Sequence, residues 1–339
     1  MRTTLDFNLL EPHIQSSSTI TLVPLGTTFL HGSLISHELM ELLDHAQQAK
    51  EKVLILYNRR GSGRAWICQD CGEFPLCPHC DIALAYHTSP KRQLICHQCS
   101  YTVFVPVECQ KCRGMRFQPV GIGIQKISDD LHSLLPNTNL LRIDSDTVLE
   151  KSKILSHVWD IDIIIGTHAH ISLLHHGDIA HIVFLLFESD LTLPDYRMEE
   201  DVYHMLEYVK KSGKNLFIQT YTPDHPLLSL IIEGNYQDFL RDMSRERKAF
   251  DYPPYSQFAL LRIRDAQKEK VQDIMVKLLN KITQIKEDTI FLASDQDIWE
   301  RFAGEWMQKI ILKWSNLEPL LAQLEVEIVR NRAVTLERR

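Results

Sequence analysis

Cysteine is missing from this chain everywhere except between Cys68 and Cys112, where all eight of its cysteines fall. Spread along a secreted chain, an even count would read as a disulfide framework. Confined to one short module, it reads as metal ligation in a reducing compartment. Long apolar runs are also lacking: no stretch reaches the roughly eighteen residues of a membrane span. The start, MRTTLDFNLLEP, has neither the apolar core nor the flanks of a signal peptide, so a cytoplasmic chain is expected. Positive charge is in deficit. The 37 Lys and Arg against 44 Asp and Glu give a formal −7, which excludes a protein that coats nucleic acid by neutralising many phosphates. Any such surface is local. The phosphate cradle GxxxxGK[ST] occurs nowhere, and there is no internal repeat beyond the CxxC units. What is present, 339 residues at 44% hydrophobic and 24% charged, suffices for two or three folded domains.

Periodicity organises the rest. The N-terminal stretch, with its polar run Gln15 to Thr19, shows no complete domain. Ser36 to Ala49 has helical spacing, with Leu39, Leu42 and Leu43 on one face, and leads into the apolar run Val53 to Tyr57, a buried strand. The regular pattern stops at NRRGSGR, and Trp66 to Arg116 is rich in Cys, Pro and turn formers, as in a module held by metal rather than apolar bulk. Beyond it, Val120 to Ile124, Asn139 to Ile143 and Ile161 to Ile165 read as strands separated by helices Lys126 to Leu135 and Thr147 to Val158. Strand Val183 to Phe187, helix Tyr196 to Lys211 and strand Leu216 to Tyr221 complete an α/β pattern, a parallel sheet with helices on both faces. If Val53 to Tyr57 joins that sheet, the cysteine region is an insertion in it. A helical stretch after Thr222-Pro223 breaks at DYPPY, where proline disfavours helix in the preceding residue. A small α+β domain follows: strands Phe258 to Ile263, Thr289 to Ala293 and Gln308 to Trp314, helices Lys268 to Lys286 and Leu317 to Leu324, then a charged tail. The expected domains are 1–35, an N-terminal segment; 36–65 with 117–222, the sheet domain; 66–116, the insertion; and 223–339, the C-terminal domain.

The cysteines form four CxxC units, Cys68/Cys71, Cys77/Cys80, Cys96/Cys99 and Cys109/Cys112, separated by five, fifteen and nine residues. A CxxC turn sets two sulfurs on one side of a metal and a second turn closes the tetrahedron, so four units make two sites. Zinc suits all-sulfur tetrahedral coordination, with iron its competitor. Closed sites of this kind are structural and leave no position for water. Pairing could be sequential or interleaved. The interleaved form is preferred, because the inner hairpin across ALAYHTSPKRQLI has the length of an ordinary zinc ribbon and the outer units then clamp its base. That assigns Cys68, Cys71, Cys109 and Cys112 to one zinc and Cys77, Cys80, Cys96 and Cys99 to the other. His79 and His97, inside complete CxxC units, are not needed as ligands. Between Trp66 and Arg116 there are five basic and four acidic residues, and eight thiolates with two Zn²⁺ take the module to about −3, so it does not grip DNA by bulk charge. Stacking through Trp66, Phe74, Tyr86, Tyr101 or Phe104 stays open, with core packing the expected use of most of these rings.

NRRG at Asn58 to Gly61 directly before CxxCG, the four CxxC units in order, VGIGIQKISDDLHSLLP, LLRIDSDT, IIIGT, LTLPDYR, QTYTPDHPLL and YPPYSQFALLRIR together resemble the PriA family of primosomal, replication-restart DNA helicases. The resemblance runs from about Ser36 onward and matches the C-terminal half of the family. It implies a RecA-like second helicase lobe interrupted by a two-zinc insertion with interleaved pairing, followed by a C-terminal domain that contributes to DNA binding. Partners implied are branched or single-stranded DNA and primosome or single-strand-binding proteins, with no membrane.

The catalytic positions depart from the family. Its ATPase needs a P-loop and an acidic Mg²⁺ motif in a first lobe, and these 339 residues carry no such motif. Where the family has arginines facing the nucleotide, the register YVKKSGKN places Ser212 and Asn215. A Lys-Gly pair expected after Gly166-Thr167 is replaced by HAHISLLHHGD. No catalytic residue is assigned. ATP hydrolysis by this chain alone is not expected, and two alternatives stand beside the DNA-binding reading: the second half of a split ATP-dependent 3′-5′ helicase whose first lobe is a separate chain, and a zinc-stabilised protein-interaction scaffold. Candidate DNA contacts are Arg59 and Arg60, ahead of the zinc module, and Arg262 and Arg264, alternating on a strand. Lys210, Lys211 and Lys214 read as a solvated helix end, and Pro194, Asp195 and Arg197 as a helix start. His168, His170, His175 and His176 lack an accompanying carboxylate pattern and are not assigned a metal. Tyr252 and Tyr255 are expected to pin the turn around Pro253-Pro254.

Overall fold

The computed structural model describes residues 18–25, 34–57, 64–88, 91–99, 101–120, 123–143, 160–175, 179–192, 195–285, 291–294, 300–302, 305–331 and 333–338. The chain gathers into two compact units, one of residues 1–59, 121–191 and 199–234, the other of 60–120, 192–198 and 235–339.

The first unit is built on six parallel strands in the order Ile20–Pro24, Asn215–Thr220, Ile179–Phe184, Lys52–Leu56, Ile163–Gly166 and Leu140–Ile143. The central strands are continuous Ile, Leu and Val runs buried on both faces, which a parallel sheet covered by helices requires. Helix His37–Ala49 starts where the Ser36 side chain accepts from the Leu39 N–H at 3.1 Å, a cap worth ~1 kcal/mol. It buries Leu39, Leu43 and Ala46 and stops at Lys50, whose φ of 57° puts it in the left-handed region.

Gln219, fully buried at the C-terminal end of its strand, ties three segments together. Its Oε1 accepts from the Ser36 N–H (3.2 Å), and its Nε2 donates to the carbonyls of Leu34 (2.8 Å) and Leu185 (2.7 Å). Helices Ile124–Leu134, Met198–Lys211 and Pro226–Glu233 complete the unit.

Several strand readings shift. Ile20–Pro24, unseen in the periodicity, is an edge strand paired to Asn215–Thr220. Val120 to Ile124 is not a strand of the parallel sheet. Phe117–Val120 pairs antiparallel with Arg64–Cys68 in the cysteine module, and Ile124 already opens a helix. The helix expected over Thr147 to Val158 lies outside the described residues.

In the second unit, the cysteine module is a five-stranded antiparallel sheet in the order Thr102–Phe104, Gln93–Ile95, Ala85–His87, Arg64–Cys68 and Phe117–Val120. The C-terminal part is a second antiparallel sheet in the order Phe291–Ser294, Glu305–Trp314, Gln257–Asp265 and Val334–Arg338, with Glu300–Phe302 also paired to Glu305–Trp314. Helices Lys268–Ile285 and Glu318–Arg330 cover it around Leu261, Ile263, Val271, Met275, Ile282, Ile310, Leu312 and Leu324. The charged tail is therefore a strand: Val334 is buried, while Glu337 turns to pair with Arg262. Among the described residues no helix is long and apolar enough to cross a membrane.

Candidate metal centres

Each CxxC unit is a turn closed in the same way. The N–H of its first cysteine donates to the carbonyl five residues on: Cys68 to Glu73, Cys96 to Tyr101 and Cys109 to Gly114 at 2.8 Å, Cys77 to Ile82 at 2.9 Å. In three units the residue after the second cysteine returns its own N–H to the first cysteine's carbonyl from a left-handed backbone: Gly72 (φ 74°), Asp81 (φ 52°) and Arg113 (φ 64°). This geometry turns the two sulfurs of a unit to one side. It also aims backbone donors at them: the Gln98 N–H lies 3.4 Å from Cys96 Sγ and the Gly114 N–H 3.4 Å from Cys112 Sγ.

The four turns meet in two groups. Cys68, Cys71, Cys109 and Cys112 form one, Cys77, Cys80, Cys96 and Cys99 the other, with the four sulfurs of each within 4.8 Å of one another. This is the interleaved arrangement. Across the outer group the sulfurs of Cys68 and Cys112, and of Cys71 and Cys109, are 3.7 Å apart, and across the inner group those of Cys77 and Cys99 are 3.5 Å apart. A zinc about 2.3 Å from each of four sulfurs needs sulfur separations of about 3.8 Å, so both groups fit a tetrahedral ion. With four thiolates each, such ions are closed to water and serve structure. Among the described residues no other three metal-binding side chains come together in this way. His168 instead faces Asp190, Nε2 to Oδ1 at 3.2 Å; the side chain of His175 and all of His176 lie outside the described residues.

The two groups differ in setting. Inner cysteines Cys77, Cys80 and Cys96 are buried in a cluster with Ile82, Leu84 and Leu94, against which Trp66, Tyr86 and Tyr101 pack. Trp66 also stacks on Phe117 at 5.9 Å. Three of the rings considered for stacking on bases are thus packing, whereas Phe104 is 79% exposed. Beside the inner group, the ring nitrogens of His87 and His97 meet at 2.9 Å. Burial first, then Lys309 and His87, push His97 down to about 3, and burial lowers His87, so the pair is neutral near pH 7 with one N–H donating to the other ring. In the outer group Cys68 and Cys109 are buried, Cys71 is half-buried and Cys112 is exposed. Its turns are laced at the surface by Arg116 to Asp70, Arg113 to Glu108 (2.7 Å) and Lys111 to Glu73 (3.2 Å).

The remaining candidates are scattered. Arg59 and Arg60 lie outside the described residues. Arg262 pairs with Glu337 of the neighbouring strand, and Arg264 Nε sits 3.2 Å from Met307 Sδ. Lys210 donates to the Ile231 carbonyl (2.6 Å), and both Lys210 and Lys211 approach Glu207. Ser212 donates to the Val209 carbonyl at 2.6 Å, as a helix-end serine does. Asp195 accepts from the Arg197 N–H (3.2 Å) just ahead of helix Met198–Lys211. Tyr252 is buried, and Tyr255 is exposed, its hydroxyl 2.5 Å from Ser244 Oγ.

Two buried carboxylates at the C-terminal ends of the parallel strands escaped the sequence reading. Glu188 Oε1 accepts from the hydroxyls of Thr220 (2.5 Å) and Thr222 (2.8 Å) and the N–H groups of Tyr221 (2.9 Å) and Thr222 (3.0 Å); Asp190 faces His168. Burial pushes both acids above the usual carboxylate range. Their sequence signal is two acids interrupting the apolar run LLFESDL.

Fold and cysteines together define an α/β protein with a zinc-ribbon insertion carrying two four-cysteine groups that suit two zinc ions. Residues 77–103, which hold the inner group, match the PriA DNA helicase Cys-rich region (CRR) domain. The chain is 29% identical over 305 residues to the replication restart protein PriA of Bacillus subtilis, covering 86% of this chain and 38% of that protein. To its counterpart in Borreliella burgdorferi it is 26% identical over 318 residues, 90% of this chain and 48% of the other. To that of Chlamydia pneumoniae it is 31% identical over 238 residues, 66% of this chain and 31% of the other. The chain is thus similar to PriA proteins over most of its own length, and it spans between about a third and a half of the length of these relatives.

Proposed function

We propose that this chain serves replication restart by binding branched or single-stranded DNA, together with primosome or single-strand-binding proteins, and that its 339 residues do not hydrolyse ATP by themselves. The observation that carries the reading is a contrast within one sequence. The cysteine region keeps all eight ligands in two tetrahedral groups, whereas GxxxxGK[ST] is absent and Ser212 and Asn215 stand where a helicase of this family has arginines. A second lobe without those cations has little with which to stabilise a transferring phosphoryl group. The parallel-sheet unit then serves as a structural scaffold, and DNA contact falls to local surfaces, since the net charge is −7. Arg59, Arg60, Arg262 and Arg264 are the cations assigned to it, Arg262 being paired with Glu337 of the neighbouring strand.

The test uses purified chain with two zinc per molecule. Fluorescence anisotropy on forked and single-stranded DNA should give binding that weakens as salt rises, with a shallow slope reflecting few phosphate contacts. Phosphate release with and without DNA should stay at the blank. Robust DNA-stimulated turnover would sink the ATPase part of the reading, and absence of DNA binding at low salt would leave the interaction scaffold in its place.

A further inference from the structure

One phenol touches both turns that hold the inner cysteines. The Tyr252 hydroxyl donates to the carbonyl of Cys80 (2.8 Å) and accepts from Gln98 Nε2 (2.7 Å). Gln98 lies between the ligands Cys96 and Cys99, and its own N–H points at Cys96 Sγ. Tyr252 belongs to the C-terminal segment and is buried with Phe258, Leu260 and Ile311, a cluster against which Cys99 itself packs. Tyr196 stacks on the Tyr252 ring at 4.3 Å between centroids. Lys313, buried in the strand Glu305–Trp314, places its ammonium 4.6 Å from the centre of that ring and donates to the Phe250 carbonyl at 2.6 Å.

A zinc held by four thiolates carries a formal charge of about −2, and such a centre is ordinarily supported by donors and cations around its ligands. Here they come from a distant part of the chain. We infer that Tyr252 and Lys313 are positioning residues of the inner metal centre, so that the metal also fastens the C-terminal segment to the ribbon. Tyr252 bonds the peptide of one ligand and the side chain of the residue between two others. Lys313 sets its buried Nζ 4.6 Å from the centre of that phenol's ring, on the side of the ring that belongs to the C-terminal sheet. A tyrosine that served only packing would have no reason to direct both hydroxyl bonds at ligand-bearing turns. By contrast the outer group's polar partners, Asp70 with Arg116, Glu108 with Arg113 and Glu73 with Lys111, all come from the ribbon itself.

The experiment follows zinc release from the full chain into an excess of chromogenic chelator. Cys112→Ser, which keeps only the inner centre intact, identifies the inner phase. Tyr252→Phe and Lys313→Met should each speed the inner phase by roughly 10-fold, the lower end for losing a group that supports a metal ligand, and leave the outer phase unchanged. Lys313→Arg should restore the slow phase. In the converse measurement, Cys80→Ser should raise hydrogen exchange across Gln257–Asp265, and Cys112→Ser should not. An inner phase within twofold of the parent in Lys313→Met overturns the inference even if Tyr252→Phe fails to fold. Equal acceleration of both phases overturns it as well, because it marks a general loosening of the fold.

Discussion

Replacing Cys80 by serine removes one of four sulfurs from a centre that is the middle of its own small core. The apolar side chains there, Ile82, Leu84 and Leu94, contribute ~2 kcal/mol each by burial, about 6 together. A structural zinc is worth about 10–16 kcal/mol in small zinc-held folds. The metal therefore stabilises this core more than its apolar side chains do, and three short strands of three residues each, Ala85–His87, Gln93–Ile95 and Thr102–Phe104, depend on it. Cys112→Ser takes one sulfur from the outer group instead, where Cys112 is exposed and the surrounding contacts are surface ion pairs worth ~0–1 kcal/mol each. Both variants should fall from two zinc per chain to one by elemental analysis. Hydrogen exchange separates them: the amides of Leu94 and Ile95 lose protection in Cys80→Ser and keep it in Cys112→Ser. If both variants keep it, or both lose it, the inner metal does not carry the sheet.

Other expectations concern single side chains. Gln219→Leu leaves the Ser36 N–H and the carbonyls of Leu34 and Leu185 buried without their partner, which should cost about 3 kcal/mol or more in a urea titration. Gly72→Ala forces a side chain into φ 74° and should cost about 1 kcal/mol, measurable as weaker retention of the outer zinc alone. Glu188 is an acid held above its unfolded value by burial, so its folded form keeps a proton that the unfolded chain has released. Its contribution is present in full below the unfolded value and is lost as pH rises through the raised one. Glu188→Gln, which keeps the Oε1 acceptor, should flatten that part of the decline in urea midpoint between acidic and neutral pH.

The parallel sheet was legible where strands are uninterrupted apolar runs, as in Val53 to Leu56 and Ile163 to Ile165, because a strand buried on both faces has no polar alternation to conceal it. It failed at the margins. Ile20–Pro24 is five residues beside a polar stretch, and its place is decided by pairing with Asn215–Thr220 rather than by its own pattern. Val120 to Ile124 looked like a strand, but Phe117–Val120 is claimed by the register with Arg64–Cys68 that closes the ribbon. In Val334–Arg338, charge hid a two-residue alternation whose Glu337 answers Arg262. The cysteine groups were readable because ligand chemistry needs fixed spacing. Tyr252, Gln98 and Lys313 were not, since their roles depend on a meeting of residues up to 215 positions apart. Glu188 and Asp190 were equally hidden, because only the folded sheet reveals that acids in an apolar run stay buried.

Each of the two units is assembled from three separate stretches of chain, so the polypeptide passes between them five times. A break after Gly234, which keeps the three stretches of the first unit on one piece, strands the last 105 residues without the ribbon that completes their unit. A single cut or a single end-to-end fusion therefore cannot remove or add either unit whole. Substitution, by contrast, can alter residues of one unit while the eight cysteines of the other stay in register.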